Sequence, residues 1–595
     1  MRLGENPIIY LSRKMWHNSQ NKKRVALYFA MSWLSNLVNL CTPLIFALLL
    51  NELQINGVTD KNFYYLLFLS FLFVARCLAT WAFHGPSRML ENDNAFTARA
   101  RYKTSFLGGV LVLPLEWHNE HHSGDTNDKL EKGSAGLFGF AESAFRVVGI
   151  INSMIVSFII LLFFDVDGGL ITLMMILITI SIIVKFDTRL TPLYQTLNGK
   201  ENKIAEKILD VITNINTVVI LRIKKVLLKS MSEKIIEPRD LFWKTNRLEE
   251  TKWFLVSLCT NIMIFSVIGY HLYKVYFGLP LVLGTFFALY GYTNSVADNF
   301  FDFAGFYGDL LKNKARLLNA EELASEFKPV KNGANGNEKY NWQELQIKSL
   351  NFSYHGEKEE ADLHLDDVSF GIKRGDKIAL IGATGSGKTT LLKVIRELYQ
   401  PQTAKVCLDS KELPEGFGSI SSQIALIPQD PEIFAATILE NITAGVEYDM
   451  KTVRKYTDMA RFTKVALRLP RKFDSLITER GVNLSGGEKQ RLALARGLLA
   501  SEDKSIVLLD EPTSSVDVST ELAIYQNIFQ AFPDKAVISS LHKLHLLPMF
   551  DRIYLFENGR IIAGGTFEEL LQNSDEFQDM WNKYRSATEE PQNPA

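Results

Sequence analysis

The chain contains six apolar stretches long enough to cross a lipid bilayer as helices, and no other feature restricts its fold as strongly. A helix needs about 20 residues to cross the hydrocarbon core. The stretches lie approximately at 25–50, 63–83, 147–164, 168–184, 254–277 and 281–303. A soluble helical core is the alternative, but six such runs with polar connectors between alternate pairs argue against it. The first half of the chain is therefore predicted to be a membrane-embedded bundle of six helices.

The distribution of basic residues predicts the orientation of this bundle, because cytoplasmic segments carry an excess of lysine and arginine. Such residues concentrate before the first stretch and in the connector at 185–252: Arg2, Arg13, Lys14, Lys22, Lys23, Arg24, Lys185, Arg189, Lys200, Arg222, Lys224 and Lys225. The connectors at 51–61, 165–167 and 278–280 contain a single basic residue among them, Lys61. We expect both termini and the two long connectors to be cytoplasmic. Compact loops and the lack of a transit peptide favour a multi-pass protein of the bacterial inner (plasma) membrane, with a eukaryotic organelle as the alternative.

The two long connectors are predicted to be helical, because charged and apolar residues alternate at helical spacing in segments such as 203–210. Membrane helices would then continue into the cytoplasm before turning back near 117–125 and 212–218. The first turning point contains His118 and His122, which are four residues apart. A metal site is one interpretation of this pair. A solvated contact surface at the end of a helical hairpin is the interpretation we favour.

Length and composition limit the number of domains and the classes of protein to which the chain can belong. A chain of 595 residues predicts two to four domains, and a net charge of −1 gives no reason to expect nucleic-acid binding. The four cysteines lack the spacing of a metal cage or disulfide framework, and the basic N-terminal segment lacks the apolar core of a cleaved signal peptide. The predicted divisions are a cytoplasmic segment at 1–24, a transmembrane domain at 25–319, a linker at 320–342, a second domain at 343–585 and a disordered tail at 586–595.

The second half contains a strand, a glycine-rich loop and a helix in the order typical of phosphate binding. An apolar strand at 377–381 leads into Gly-Ala-Thr-Gly-Ser-Gly-Lys-Thr-Thr and then into an apolar helical run. Glycines allow backbone N–H groups to close around phosphate oxygens, and the helix N-terminus adds a favourable dipole. Lys388 is expected to contact the β- and γ-phosphates of ATP, and the Thr389 hydroxyl to bind Mg²⁺. The predicted nucleotide-binding residues of this loop are Gly382, Ala383, Thr384, Gly385, Ser386, Gly387, Lys388, Thr389 and Thr390.

A second apolar strand at 506–509 ends in two adjacent carboxylates, Asp510 and Glu511. Asp510 is predicted to complete the metal site beside the phosphates, and Glu511 to polarise the attacking water as a general base. A structural salt bridge is the alternative for either carboxylate. Phosphoryl transfer depends on positioning and charge neutralisation, which these residues supply. The second half is therefore predicted to hydrolyse ATP.

These motifs resemble those of the ATP-binding cassette (ABC) superfamily, and six spans followed by one cassette are similar to an exporter-type half-transporter. The resemblance implies an all-α six-helix transmembrane domain followed by an α/β P-loop NTPase domain. It implies that Tyr354 stacks on adenine, that Gln429 contacts Mg²⁺ and takes part in catalysis, and that His542 contacts the γ-phosphate. It also implies that the segments near 117–125 and 212–218 are coupling helices that dock on the cassettes.

The resemblance further implies that one chain completes the ATP site of another. The residues that match the family's signature, which binds the partner's γ-phosphate, and its interface loop are Ser485, Gly486, Gly487 and Asp517. The chain departs from the common pattern at Glu488, where glutamine is commonest, at 514–517 and at Lys543, where arginine is common; we expect modulation from these changes. Because Glu511 and His542 are both present, two copies would form two complete sites. A homodimer is favoured, and a heterodimer with a degenerate partner stays open.

The cargo is the least constrained part of the prediction. Polar residues within membrane spans usually face a cavity or a partner, and an ion pair between Arg76 and Asp298 is one interpretation. The sixth stretch is rich in aromatic residues, which either pack or line a cavity. A lined cavity would favour a large hydrophobic or amphipathic cargo such as a lipid, a lipid-linked molecule, a hydrophobic drug or a peptide. Two functions stay open: an ATP-driven exporter or flippase, and an ATP-binding regulator or gated channel.

Overall fold

The computed structural model describes residues 5–121, 123–327, 340–354, 364–430, 432–477 and 484–589. The chain forms two compact units. The first consists of Met1–Leu113 and Trp117–Pro329, and the second of Pro114–Glu116 and Val330–Ala595.

Up to residue 327, all regular elements of the described residues are helices. They are α1 (Pro7–Asn18), α2 (Lys22–Asn39), α3 (Thr42–Asn56), α4 (Phe63–Val110), α5 (Leu115–Glu120), α6 (Ser123–Phe164), α7 (Val166–Thr213), α8 (Ile215–Ile220), α9 (Lys224–Ile236), α10 (Arg239–Tyr276) and α11 (Leu283–Ala324). α4 and α7 are each 48 residues long, which corresponds to about 70 Å of helix. A bilayer core is only about 30 Å thick, so these helices extend well beyond it. The prediction of helical connectors is confirmed.

Five helical segments among the described residues are long and apolar enough to cross a membrane. They are Lys22–Asn56, Phe63–Val110, Ser123–Phe164, Val166–Thr213 and Lys224–Tyr276. The sixth predicted stretch, 281–303, also folds as a helix, α11. Asn294, Asp298 and Asp302 reduce the apolar character of this helix. All six predicted stretches are therefore helical, and the sixth is more polar than the other five.

The first predicted stretch, 25–50, is broken between α2 and α3. Pro43 has no N–H group and cannot continue the helical hydrogen bonds. Cys41 N–H donates to the Val38 carbonyl at 3.3 Å, in a tighter turn than the α-helix. The Thr42 hydroxyl donates at 2.8 Å to the Asn39 carbonyl, which Pro43 leaves without its usual N–H partner. The predicted stretch is therefore part of one apolar segment, Lys22–Asn56, whose helical hydrogen bonding is interrupted at Leu40 and Cys41.

Packing in the first unit pairs α6 with α11, α7 with α10 and α2 with α4. A tight turn at Asp165 joins α6 to α7, and its carboxylate caps α7 by accepting from the N–H groups of Asp167 and Gly168. Further along the pair, Lys252 Nζ of α10 lies 3.1 Å from Asp187 Oδ1 of α7, and both side chains are buried. A buried ion pair therefore supplements the apolar packing of α7 against α10.

The second unit is an α/β structure, as predicted. Its strands are β1 (Glu344–Phe352), β2 (Leu365–Lys373), β3 (Lys377–Gly382), β4 (Thr403–Leu408), β5 (Lys411–Glu412), β6 (Ile424–Ile427), β7 (Ile506–Asp510), β8 (Ala536–Ser540), β9 (Arg552–Glu557) and β10 (Arg560–Gly565). Its helices are α12 (Lys388–Ile395), α13 (Ile438–Thr443), α14 (Met450–Met459), α15 (Thr463–Arg468), α16 (Gly486–Ala500), α17 (Val518–Ala531), α18 (Phe567–Asn573) and α19 (Asp575–Glu589). Short 3-10 helices lie at Gly416–Gln423, Lys472–Asp474 and Leu544–Met549.

Two sheets organise this unit. The smaller is antiparallel, in the order β2-β1-β4-β5, and the larger has the order β10-β9-β3-β8-β7-β6. Pairing is parallel from β9 to β6, and β7 and β8 are buried throughout, as expected for strands covered on both faces. The carboxyl ends of parallel strands meet at one edge, where α/β proteins bind ligands. Residues that follow β3, β6, β7 and β8 are therefore brought together.

Two predicted segments differ from the structure at their ends. α11 continues to Ala324, so the first residues of the predicted linker at 320–342 are helical. α19 continues to Glu589, so the prediction of a disordered tail was wrong for 586–589. The remainder of the tail, 590–595, and the linker residues 328–339 lie outside the described residues.

Candidate functional site

The loop between β3 and α12 closes around its own lysine. Gly382 and Gly387 have φ angles of +144° and +104°, a region that favours glycine. A Cβ atom on Gly382 would overlap the Phe556 carbonyl oxygen, so no other residue fits there. Lys388 Nζ donates to the Gly382 and Ala383 carbonyl oxygens at 2.8 and 3.0 Å. Burial lowers the pKa of Lys388, whose ammonium group is held against the loop.

Thr389, in the first turn of α12, is in direct contact with Asp510, at the end of β7. Thr389 Oγ1 donates to Asp510 Oδ1 at 2.9 Å, and Ser540 Oγ donates to the same oxygen at 2.7 Å. Asp510 is buried. A hydroxyl and a carboxylate oxygen together fit Mg²⁺, which takes few protein oxygens and completes its shell with water and phosphate oxygens. Gln429, the third predicted metal ligand, donates to Glu511 through its amide nitrogen.

Glu511 is held between two of the residues predicted to act with it. His542 Nε2 lies 2.7 Å from Glu511 Oε1, and Gln429 Nε2 donates to Glu511 Oε2 at 2.9 Å. The backbone of Glu511 has a φ of +44°, and its N–H donates to Ser540 Oγ at 3.0 Å. The Glu511 side chain is 11% exposed and that of His542 43%. The three predicted catalytic residues thus form one contact group whose histidine faces outward.

Tyr354 lies beside the start of α12. Its hydroxyl donates to Thr390 Oγ1 at 3.2 Å. The ring packs edge-on against His364 and Tyr399, with centroid distances of 4.9 and 5.1 Å. Tyr354 is 39% exposed, so the residue is partly accessible to a ligand.

Ser485, Gly486 and Gly487 form the start of α16. Ser485 Oγ accepts from the Glu488 N–H at 3.3 Å, and the Glu488 carboxylate accepts from the Ser485 N–H at 2.9 Å, a reciprocal cap. Burial raises the pKa of Glu488, but hydrogen bonds from Ser485 and Arg468 outweigh burial and hold the pKa below its usual value. In the described part of the chain, no hydrogen bond or ion pair joins 485–487 to the loop at 382–390.

Asp517 caps α17. Its carboxylate accepts from the Ser519 hydroxyl at 2.7 Å and from the Thr520 N–H at 2.9 Å. These hydrogen bonds hold the pKa of Asp517 well below its usual range. The residue therefore fixes the end of the loop at 514–517, whatever contact it makes beyond this chain.

Gln490 of α16 belongs to the site and was missed by the sequence analysis. Its Nε2 donates to Ser514 Oγ at 2.6 Å, and its Oε1 accepts from the Ser515 N–H at 2.8 Å. A Cβ atom on Gly487 would lie 2.6 Å from the Ser515 carbonyl oxygen. The start of α16 is thus fitted closely against the loop that follows Glu511. The position of Gln490 one turn after the signature was the available signal.

A cavity of ≈ 950 Å³ lies in the first unit and is bordered by α2, α4, α6 and α11. Asp298 lines it, and its carboxylate accepts from Asn294 Nδ2 at 3.0 Å. Arg76 donates to Asn39. The interpretation of an Arg76–Asp298 ion pair was therefore wrong, because each of these side chains is hydrogen-bonded to an asparagine amide.

The aromatic residues of α11 do not form one surface. Tyr292 and Phe300 are buried, and the Tyr292 hydroxyl donates to the Leu40 carbonyl at 2.9 Å. Phe301 instead lines the cavity and stacks on Trp253. Both packing and cavity lining therefore occur in the same stretch.

The histidines near 117–125 provide no metal site in the described part of the chain. His118 and His121 both pack on Trp117. No group of three or more His, Cys, Asp or Glu residues suited to a metal ion occurs there. His122 lies outside the described residues.

The helical first unit and the α/β second unit with this loop arrangement define an ABC transporter. A family model described as "ABC transporter transmembrane region" matches residues 25–293, and one described as "ABC transporter" matches residues 365–514. The chain belongs to the ABC transporter superfamily and carries one transmembrane region followed by one ATP-binding cassette, the half-transporter arrangement.

Individual relatives are similar over most of the chain. ATP-binding cassette sub-family B member 6 of Rattus norvegicus is 26% identical over 486 residues, which are 80% of this chain and 57% of that protein. The mitochondrial iron-sulfur clusters transporter ATM1 of Saccharomyces cerevisiae is 25% identical over 497 residues, or 79% and 69% of the two chains. The chain thus spans little more than half the length of the sub-family B member 6 protein, at 57%.

A solved structure extends the likeness to the whole fold. The structure of a bacterial Atm1-family ABC exporter with ATP bound aligns with a TM-score of 0.83 at 19% identity. The alignment covers 94% of this chain and 99% of that chain. At this level of identity the match establishes the shared fold.

Proposed function

We propose that the protein hydrolyses ATP to drive export or flipping of an amphipathic substrate by alternating access, as a dimer with two composite ATP sites. The observation that carries this proposal is the contact of Glu511 with both His542 and Gln429. A general base must be oriented within hydrogen-bond reach of its water, and these two neighbours orient the carboxylate. A regulator or channel gated by ATP binding alone would not need this base.

ATP and Mg²⁺ are assigned to the cradle around Lys388. The loop at 382–390 would hold the phosphates, Tyr354 the base, and Thr389 with Asp510 the metal ion. Mg²⁺ supplies charge neutralisation of the phosphates when bound. The contact of Thr389 with Asp510 supports this assignment, since both oxygens are already adjacent. Gln429 is placed to sense this site through Glu511.

A dimer is supported by the position of Ser485–Gly487. A helix N-terminus attracts anions, yet no polar contact links these residues to the phosphate loop of their own chain in the described part. A second chain would bring its phosphate loop to this end of α16. Because Glu511 and His542 are both present, we favour a homodimer in the bilayer, with cytoplasmic cassettes and termini at a bacterial inner membrane.

The lining of the ≈ 950 Å³ cavity supports an amphipathic cargo with a cationic group. Asp298, Asp302 and Asp309 line it from one face of α11, as their spacing of four and seven residues requires. Arg146 is the opposing cation, and Trp81 supplies an aromatic surface. Carboxylates at membrane depth usually mark substrate pathways.

Reconstitution into phosphatidylcholine vesicles tests this function. ATP hydrolysis is measured with a fluorescent lipid, a lipid-linked sugar, a peptide, and cationic and anionic amphipathic dyes of equal size, together with movement of each probe. We expect one class to stimulate hydrolysis and to move across the bilayer, and Glu511→Gln to abolish both effects. Ion conductance without movement of any probe would instead favour the gated channel.

A further inference from the structure

Glu521 of α17 is a buried carboxylate that belongs to no predicted motif. Its side chain is 4% exposed. Glu521 Oε1 accepts from Thr513 Oγ1 at 2.6 Å, and Oε2 lies 3.3 Å from both Lys543 Nζ and His545 Nε2. A buried carboxylate needs compensating partners, because an unpaired charge in the interior is costly. Thr513 and Lys543 come from the two loops that flank the ATP site.

Lys543 connects those two loops. While it faces Glu521, its Nζ donates to the Val516 carbonyl oxygen at 2.9 Å. The preceding residue, His542, contacts Glu511 at 2.7 Å. Two successive residues of one loop therefore hold the segment 511–517 at two separate points.

Lys543 is the cation that balances Glu521. Burial lowers the pKa of His545 and outweighs the opposite effect of Glu521, while Lys543 lowers it further. Burial therefore disfavours the protonated form of His545, and the ammonium group of Lys543, 3.3 Å away, is the positive charge that Glu521 faces.

A cavity lies between parts of the two loops. This cavity of ≈ 260 Å³ is lined by Glu511, Thr513 and Ser514 on one side and by His542 and Lys543 on the other. The polar contacts of Lys543 and the contact of His542 with Glu511 therefore bridge the two loops on either side of this cavity.

We propose that Lys543 and Glu521 are positioning residues for ATP hydrolysis: the pair holds the His542 loop against the segment 513–517 and thereby fixes His542 relative to Glu511. Because Gln490 binds Ser514 and Ser515 in that segment, the pair also transmits a shift of α16 to His542. This inference rests on the proposed function, in which Glu511 acts on ATP.

Steady-state ATP hydrolysis by the full-length protein in vesicles tests the pair. Lys543→Met lowers kcat by about tenfold or more and leaves KM for ATP within about twofold, because misplacement of a catalytic contact affects the chemical step more than binding. Glu521→Gln, which keeps an acceptor for Thr513, has a similar effect. The double variant is no slower than either single variant, since residues that act as a unit are not additive. Lys543→Arg restores kcat to within about threefold of the original protein.

Lys535→Met is the matched control. Lys535 Nζ also donates to backbone carbonyls, those of Ser501 and Glu502 at 2.5 and 2.7 Å, but it touches neither loop. Its removal is expected to lower Tm and to leave kcat per folded protein unchanged. A kcat for both Lys543→Met and Glu521→Gln equal to that of Lys535→Met overturns the inference. An original protein without ATP hydrolysis overturns the proposed function and the inference with it, so the two failures are distinguishable.

Discussion

His542 Nε2 and Glu511 Oε1 lie 2.7 Å apart at the carboxyl ends of β8 and β7. The two strands are parallel neighbours, paired in register from Ile506 with Ala536 to Asp510 with Ser540. Residues distant in the sequence are therefore brought together by strand pairing, and Gln429 joins them from the end of β6, the next strand.

Replacing Glu511 with glutamine separates ATP binding from hydrolysis. The amide keeps the size of the side chain but cannot accept a proton, so hydrolysis falls by about 10²- to 10⁴-fold. ATP binding persists because Lys388 and the loop at 382–390 are unchanged. Phosphate release and the rise in Tm caused by ATP measure the two properties. Loss of the ATP-dependent rise together with hydrolysis would argue for a structural role of Glu511.

Metal dependence is expected to follow the contact between Thr389 and Asp510. Asp510→Asn removes the charged oxygen donor, so a higher Mg²⁺ concentration is needed for half-maximal hydrolysis. Thr389→Val acts in the same direction, whereas Thr389→Ser keeps the hydroxyl and serves as its control. Titration of Mg²⁺ after treatment with a chelator measures the effect. Identical Mg²⁺ curves for all variants would refute this metal assignment.

Two adjacent glycines at the start of α16 are expected to differ in their tolerance of a methyl group. A Cβ on Gly487 would lie 2.6 Å from the Ser515 carbonyl oxygen, whereas a Cβ on Gly486 meets nothing within 4 Å. Gly487→Ala should destabilise the cassette by about 1–3 kcal/mol through overpacking. Gly486→Ala should be neutral or slightly stabilising because alanine favours helices. Thermal unfolding of the two variants compares them, and equal Tm values would contradict the close fit.

Replacing one partner of the buried ion pair between Lys252 and Asp187 is expected to lower stability more than replacing both. Both side chains are at most 5% exposed. Lys252→Met leaves Asp187 uncompensated, at a cost of about 3–5 kcal/mol. Changing both residues, to Met and Asn, should cost less than the single change. Thermal unfolding in detergent tests this order, and a double variant less stable than Lys252→Met would contradict it.

The sequence predicts local features of this fold better than contacts between distant residues. The loop at 382–390 is recognisable because its glycines, Lys388 and Thr389 act within one short segment. The break at Cys41 was missed because Pro43 lies within an otherwise continuous apolar run. Glu521 carries no signal of its own, since its partners Thr513 and Lys543 reach it only through the pairing of β7 with β8.

A complete ATP site is expected to combine the loop at 382–390 of one chain with Ser485–Gly487 of another. Lys388→Ala disables the first part. Gly486→Asp places a carboxylate on the second, at a position where an added Cβ meets nothing in its own chain within 4 Å. Copies with different tags allow two mixed dimers to be purified, one with the substitutions on different chains and one with both on the same chain beside an unsubstituted partner.

ATP hydrolysis by these two mixed dimers tests most directly whether each ATP site is formed by two chains. Composite sites predict that the dimer with substitutions on different chains keeps one intact site and hydrolyses ATP, whereas the dimer with both on one chain keeps none and is inactive. The reverse result, with activity only when both substitutions lie on the same chain, would show that each chain contains a complete site and would contradict the account.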